Sequence, residues 1–292
     1  MSGPSHRASG LALYNAPGST CSQKVRLVLA EKSLPWQDCR VDLRANEHLT
    51  DWYLALNPNG VVPTLMHDGR PIIDSSVINE YLEEVFPAPP LMPADPYGRA
   101  RMRAWRQYID EVPTPAIRIP SFNAFILQGW SGLTDDEYRL AVERRTVRKH
   151  FYRRMGRTGF SQSDVDEALE RLRDALLRME GSLAPGPWLL GDLLTLADLS
   201  LVPTVVRLDD LALSHLWSDL PGVADWYARI RNRPSFAQAF YEGSRPRPVT
   251  PWARCRSASA LARGRLRRSN GSPRWMPRGT WTPSCTTLNG RS

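Results

Sequence analysis

Over the first ninety residues the apolar positions come in short blocks whose period keeps changing. LALYN at 11–15 is a brief apolar run of strand character, ended by Pro17-Gly18. From Ser19 the period lengthens. Val25, Val28, Leu29 and Lys32 fall on or beside one helical stripe that ends near Glu31 and Lys32, and Ser19 or Thr20 suits its N-cap. Residues 36–43 alternate as a second strand. Residues 46–56 read as a short helix closed by Asn57-Pro58-Asn59-Gly60, and 61–66 as a third strand. His67-Asp68-Gly69-Arg70 is a tight hairpin turn into a fourth strand at 71–73. Residues 74–85 then place Val77, Ile78, Tyr81, Leu82 and Val85 at helical spacing. The order strand–helix–strand–helix–strand–strand–helix predicts a small mixed sheet covered by helices, an α/β domain over 10–86.

Prolines 87, 89, 90 and 93 mark 87–94 as a linker, after which strand signals vanish. Met102, Trp105, Tyr108 and Ile109 form the apolar face of a helix over 95–112, which Pro113, Pro115 and Pro120 are expected to break. Residues 121–130 are apolar and irregular, and 135–157 form a highly charged helical stretch. Residues 163–183 are a strong amphipathic helix, 194–208 a nearly all-apolar and therefore buried one, and 222–233 a last clear one. The reading is an all-α second domain over 95–244.

The 292 residues suit two compact domains, and the 42% hydrophobic and 23% charged composition is that of a globular protein. No apolar run approaches a membrane span, and the polar start carries no signal-peptide core. Cys21, Cys39, Cys255 and Cys285 lack metal-ligand spacing, so no metal is expected and a cytoplasmic location is the default. The formal charge of +8 belongs to one segment. Residues 245–292 hold 11 arginines and no acid, which leaves 27 basic and 30 acidic residues before them. The body therefore offers no pull toward nucleic acid or membrane. The tail reads as a basic disordered segment, or as out-of-frame translation of a GC-rich gene. The cations of 139–157 suit anionic substrates or nucleic acid, but a solvated face paired with acids elsewhere is the first reading.

Four local stretches resemble the cytosolic glutathione transferases, together covering about residues 10–240. Asn57-Pro58-Asn59-Gly60-Val61-Val62-Pro63-Thr64-Leu65 is similar to that family's N-P-x-G-x-V-P-x-L. The resemblance implies a thioredoxin-like first domain, a cis Val62–Pro63 bond, and a Val62 backbone that meets the cysteinyl part of glutathione. Asp74-Ser75 resembles the family's Glu/Gln-Ser pair. It implies that Ser75 and a helix N-terminus take the γ-glutamyl carboxylate, and that Asp74 takes the ammonium. Ser19-Thr20-Cys21-Ser22-Gln23-Lys24-Val25-Arg26 resembles the zeta, tau and omega signatures, which put the catalytic position at Ser19. The beta-class and lignin β-etherase alignments select Cys21 and Ser22 instead. Thr195-Leu196-Ala197-Asp198 is similar to the buried S/T-x-x-D cap of a core helix. His48, in Glu47-His48-Leu49-Thr50-Asp51, resembles a theta-class histidine that meets the glycyl carboxylate. Residues 95–105 and the long 121–162 segment look most like the bacterial β-etherase branch.

The implied chemistry is activation of glutathione, the co-substrate, for attack on a small hydrophobic electrophile, aryl-ether cleavage included. Ser19 would lower the thiol pKa by hydrogen bonding to the thiolate, while Tyr108, Ser121 and Phe122 would wall the second pocket. A homodimer is implied by resemblance. Two other readings stand beside this one. Cys21 can form a mixed disulfide with glutathione, as in an oxidoreductase, although the absence of C-x-x-C excludes a dithiol route. The fold can also serve as a non-catalytic binding protein.

Overall fold

A computed structural model describes residues 10–130 and 132–246; from residue 247 on, the basic tail lies outside the described residues. Strand β1 (Leu11–Asn15) is followed by α1 (Thr20–Glu31), β2 (Gln37–Arg40), α2 (Asp51–Leu56), β3 (Thr64–His67), β4 (Arg70–Ile73) and α3 (Ser75–Val85). The sheet runs β2-β1-β3-β4. Ala12 faces Gln37 across a parallel β1–β2 pair, while Leu13 faces Leu65 and Leu65 faces Ile72 across antiparallel pairs. This is the expected βαβαββα order. The helix expected over 46–56 is two pieces, a 3-10 turn at Glu47–Leu49 and then α2. Extended Thr50 (φ −81°, ψ 155°) interrupts them.

Every element from Pro96 on is helical: α4 (Pro96–Glu111), α5 (Pro113–Ser121), α6 (Asp135–Glu143), α7 (Lys149–Met155), α8 (Gln162–Leu183), α9 (Leu196–Asp210), α10 (Pro221–Arg231) and α11 (Pro234–Ala239). Pro113 and Pro115 end one helix but also start the next. They sit in the first turn of α5, where no N–H is needed, so the stretch read as broken is a helix of its own. Past Pro120 the chain tightens into a π turn (Phe122–Ile126) and a 3-10 turn (Leu127–Gly129). The charged stretch of 135–157 is two helices, not one. Five of its eight cations pair with acids, as expected: Arg139 with Asp136, Lys149 and Arg153 with Glu143, Arg154 with Asp164, and Arg157 with Asp135; Arg144, Arg145 and Arg148 do not, among the described residues.

Helix α1 packs against α3, α9 and α11, and all eight residues Ser22 to Leu29 are buried. Its polar side chains therefore find partners inside the protein, Gln23 Oε1 excepted. Gln23 donates to the Ser244 carbonyl (2.9 Å) and Lys24 pairs with Asp110 (3.0 Å). Arg26 donates to Asn15 Oδ1 (2.7 Å) and to the carbonyls of Pro17 (2.8 Å) and Ala239 (3.0 Å). Burial pushes the Arg26 pKa down to about 10, which leaves it charged at neutral pH. The proline-rich connection is pinned by buried Lys32. Its ammonium reaches Glu83 (2.5 Å) and the carbonyls of Phe86 (2.7 Å) and Pro89 (2.9 Å), while Glu83 accepts the Leu91 N–H (2.9 Å). Arg245 is tied back to Asp210 (2.6 Å) and Asp209 (3.0 Å).

Helix α9 is buried from Leu196 to Leu208. Asp198, fully buried, accepts from the N–H groups of Leu189 (2.9 Å) and Thr195 (3.0 Å), from the Thr195 hydroxyl (3.0 Å) and from the Trp226 indole (3.0 Å). Burial raises its pKa, and these donors pull against that rise. Removing the carboxylate strands several buried donors. Asp198→Ala is expected to lose about 3 kcal/mol or more of unfolding free energy in urea titrations, and Asp198→Asn less.

Candidate functional site

The loop between β1 and α1 sets the floor of the site. Ser19 is the N-cap of α1, and its Oγ accepts the Ser22 N–H (3.3 Å). Ser22 is buried, its hydroxyl accepting the Ala16 N–H (3.3 Å). Arg26 holds the Pro17 carbonyl, and Arg207 of α9 holds that of Gly18 (2.6 Å). Ser22 is buried and half-buried Ser19 caps the helix, while Cys21 is the first-turn side chain that lines the adjoining pocket, a cavity of about 180 Å³.

The facing corner is built around buried Asn57. Its amide donates to the Val61 carbonyl (2.8 Å) and to Thr64 Oγ1 (3.0 Å), and its Oδ1 accepts the Asn59 N–H (3.1 Å). Buried Tyr53 also donates to the Val61 carbonyl (2.8 Å). Gly60 turns the chain at φ +57°, where a Cβ would lie 3.0 Å from Leu49 Cδ2. Beyond this turn Val61, Val62 and Pro63 line the pocket, and the Val62–Pro63 bond is cis.

Asp74 and Ser75 complete the α/β wall. Asp74 caps α3. One carboxylate oxygen, Oδ1, accepts both the Ser76 (2.8 Å) and Val77 (3.2 Å) N–H groups. The helical wall is Asp110 of α4, Thr114 and Arg118 of α5, and Arg148 at the start of α7. Arg118 is hydrogen-bonded to the Cys21 thiol. Burial, then the neighbouring Arg148, lowers its pKa, while Cys21 and Asp110 oppose that.

The pocket thus brings together Cys21, Val62, Pro63, Asp74 and Ser75. Ser19, Ser22, His48, Tyr108, Ser121 and Phe122 lie outside its lining. Tyr108 sits under Arg178, whose guanidinium is 4.0 Å from the ring centroid. Ser121 is buried and donates to the Ile117 carbonyl (2.6 Å). Phe122 packs edge-on against Phe151 and Tyr152. These three belong to helix packing around α4 and the 119–160 segment rather than to the pocket wall. Asp110, Thr114, Arg118 and Arg148 were not singled out from the sequence. One signal was present: Arg118 is the lone charge in the proline-flanked apolar stretch 113–126.

His48 is buried in the 3-10 turn, and its Nδ1 has no partner. Burial, reinforced by Arg145 and Arg148, pushes its pKa down to about 4 from the ordinary 6.5. The unfolded chain therefore takes up this proton near pH 6.5 and the folded one does not, so stability falls as the pH drops through that window. His48→Gln is expected to flatten the decline of the urea midpoint between about pH 6.5 and 5; an unaltered slope would assign the decline to other groups.

The glutathione S-transferase N-terminal domain family matches residues 13–90 and the glutathione S-transferase C-terminal domain family matches 162–229. Protein LigF of Sphingobium sp. (strain NBRC 103272 / SYK-6) is 30% identical over 80% of this chain and 95% of its own. The crystal structure of beta-etherase LigF superposes with a TM-score of 0.71 at 30% identity, covering 79% of this chain and 98% of that one. Glutathione S-transferase 1 of Dianthus caryophyllus is 35% identical over 67% of this chain and 76% of its own. Glutathione transferase F7 of Populus trichocarpa superposes with a TM-score of 0.64 at 27% identity, covering 78% and 97%. The chain belongs to the glutathione S-transferase family. It is a glutathione transferase with a thioredoxin-like first domain and an all-α second one, and glutathione is its co-substrate. Among the described residues no cluster of His, Cys, Asp and Glu could hold a metal ion, and no helix is long and apolar enough to cross a membrane.

Proposed function

We propose that this transferase activates glutathione at Cys21 and delivers it to a small aromatic electrophile, with cleavage of an aryl ether as the reaction. The observation that carries the reading is the convergence of Cys21, the Val62–Pro63 corner and the Asp74-Ser75 helix start on one pocket. Glutathione would run along this wall. Its γ-glutamyl carboxylate meets Ser75 and the start of α3, its ammonium meets Asp74, and its cysteinyl amide pairs with the backbone of Val62. The thiol then faces Cys21 and Arg118. The thiol proton leaves to solvent, and the α1 N-terminus, the Cys21 S–H and the Arg118 cation favour the thiolate.

In ether cleavage the thiolate sulfur forms a bond to the ether carbon. The carbon–oxygen bond breaks, and the aryl oxide departs and takes a proton from solvent. The likeness to a beta-etherase supports this choice of electrophile. A homodimer is proposed by the same kinship. Size-exclusion chromatography with light scattering is expected to give twice the 33.0 kDa of the chain.

The exposure of Cys21 to the pocket also favours a second reading. Its thiolate can attack the glutathionyl sulfur of a mixed disulfide, releasing the partner thiolate, and a second glutathione then regenerates Cys21 as glutathione disulfide leaves. Both readings are tested on Cys21→Ala, Cys21→Ser and Ser19→Ala, with 1-chloro-2,4-dinitrobenzene conjugation, reduction of a glutathionylated disulfide, and thiolate absorbance against pH. The transferase reading expects Cys21→Ala to lose roughly 100-fold in kcat/KM together with the depressed thiol pKa. Cys21→Ser should retain much of both. Ser19→Ala should cost about 1 kcal/mol of stability through the lost cap. Loss of thiol ionisation in Ser19→Ala alone would move the activating group to Ser19. Disulfide reduction abolished by Cys21→Ser, with conjugation absent from the wild type, would establish the oxidoreductase.

A further inference from the structure

We infer that Arg118 and Arg148 form an anion subsite beside the thiol, and that the electrophile carries a carboxylate which this pair receives. The inference rests on the transferase reading of the same pocket and adds the charge class of the second substrate.

Both arginines line the pocket, Arg118 against Cys21 and Arg148 on the far side of it in the chain. Among the described residues neither has a carboxylate within ion-pair distance. Asp110, which also lines the pocket, is engaged by Lys24 at 3.0 Å, and Ser76 bridges the two. Asp74 spends one oxygen on the amides of α3. Within the 139–157 segment Arg139, Lys149, Arg153, Arg154 and Arg157 each find an acid. Among the described residues Arg144, Arg145 and Arg148 do not; Arg145 lies against Trp130 and Tyr152, and of the three only Arg148 lines the cavity. Two half-buried guanidinium groups that repel one another are costly to keep, and an anion between them relieves both the repulsion and the lost solvation.

Arg148 is also held in place by a built support. Two residues earlier in that turn, Thr146 donates to the Asn59 carbonyl on the corner that carries Val61 to Pro63. Buried Arg145 lies 4.5 Å from the Trp130 ring centroid and 4.4 Å from that of Tyr152, and it donates to Asn46 Oδ1 (2.9 Å). The turn that presents Arg148 is therefore anchored to the α/β domain at Asn46 and Asn59. Arg118 and Thr114 are one helical turn apart on α5 and share its pocket-facing side.

A planar guanidinium matches a carboxylate with two parallel hydrogen bonds. Placed next to the sulfur, the pair also offsets the repulsion that a thiolate meets when it attacks a negatively charged molecule. Glutathione brings its own glycyl carboxylate, a second source of the same chemistry. The position of Arg118 against Cys21, at the thiol end of the pocket, favours the electrophile.

The test compares 4-chloro-3-nitrobenzoate with its methyl ester. In both, the thiolate forms a carbon–sulfur bond at C4 and chloride leaves, so the two differ in charge at one group. The variants are Arg148→Gln and Arg148→Lys. Binding of unreactive 3-nitrobenzoate and of 3-nitrobenzamide to the glutathione-loaded protein is measured by calorimetry. One lost charge-assisted contact corresponds to about tenfold in affinity. The acid-to-ester ratio of kcat/KM is therefore expected to fall about tenfold in Arg148→Gln and to recover in Arg148→Lys. Affinity for 3-nitrobenzoate should follow, while 3-nitrobenzamide shows no such dependence. An unchanged ratio in Arg148→Gln overturns the subsite. A raised KM for glutathione with that ratio unchanged assigns Arg148 to the glycyl carboxylate instead. If neither chloride is turned over, the transferase reading fails. The subsite then stands or falls on whether 3-nitrobenzoate binding needs Arg148.

Discussion

Most of this structure depends on burying one polar helix. Helix α1 lies under α3, α9 and α11, yet its sequence brings Gln23, Lys24 and Arg26 into that interior. Unpaired, such groups would each cost several kcal/mol. Every one is instead used to tie a distant segment to the helix. Gln23 holds the segment after α11 at Ser244, Lys24 holds Asp110 on α4, and Arg26 holds the β1–α1 loop and the end of α11. The helical domain is thereby docked on the α/β domain by hydrogen bonds that only one arrangement satisfies, and buried polar networks of this kind specify a geometry more than they add stability.

The site inherits its precision from that docking. Cys21 sits on the first turn of a helix that cannot shift, and the loop before it is held by Arg26 below and Arg207 from α9. Across the pocket the Val61–Pro63 corner is fixed by Asn57 and Tyr53, both buried. The Asp74-Ser75 end is set by the cap of α3. The wall that would meet the second substrate is held differently. It comes from α5 and from the turn before α7, which a satellite cluster of Trp130, Tyr138, Val142, Met155 and Phe160 supports. One half held by rigid elements and another held by surface segments is a division that this kind of scaffold permits.

The elements with strict periodicity or strong punctuation were legible from the chain alone. The changing periods of residues 11–85 predicted the order of strands and covering helices along the chain, because an element one face of which is buried must repeat its apolar positions at the period of its backbone. The Asn57–Leu65 stretch, the Asp74-Ser75 pair and the Thr195–Asp198 cap were visible because each is a local device, made by residues close together in sequence. The same logic explains the misreadings. Pro113 and Pro115 looked like breakers because proline is one, but in the first turn of α5 the missing N–H costs nothing.

What the sequence by itself determined, then, is the family fold, the Asn57–Leu65 corner and the helix cap. Tertiary structure decided which side chain of Ser19-Thr20-Cys21-Ser22 faces the pocket. Candidates one to three residues apart on a helix turn point in different directions, and only the packing of α1 says which direction is inward. Tertiary structure also decided the helical side of this cavity. Tyr108 and Phe122 pack against the apolar clusters and Ser121 bonds to the Ile117 carbonyl, while Asp110, Thr114, Arg118 and Arg148 line the cavity. Arg118 and Arg148 are thirty residues apart, and no periodicity links them. They meet because the 144–148 turn is clamped to Asn46 and Asn59, contacts that exist only once both domains are folded.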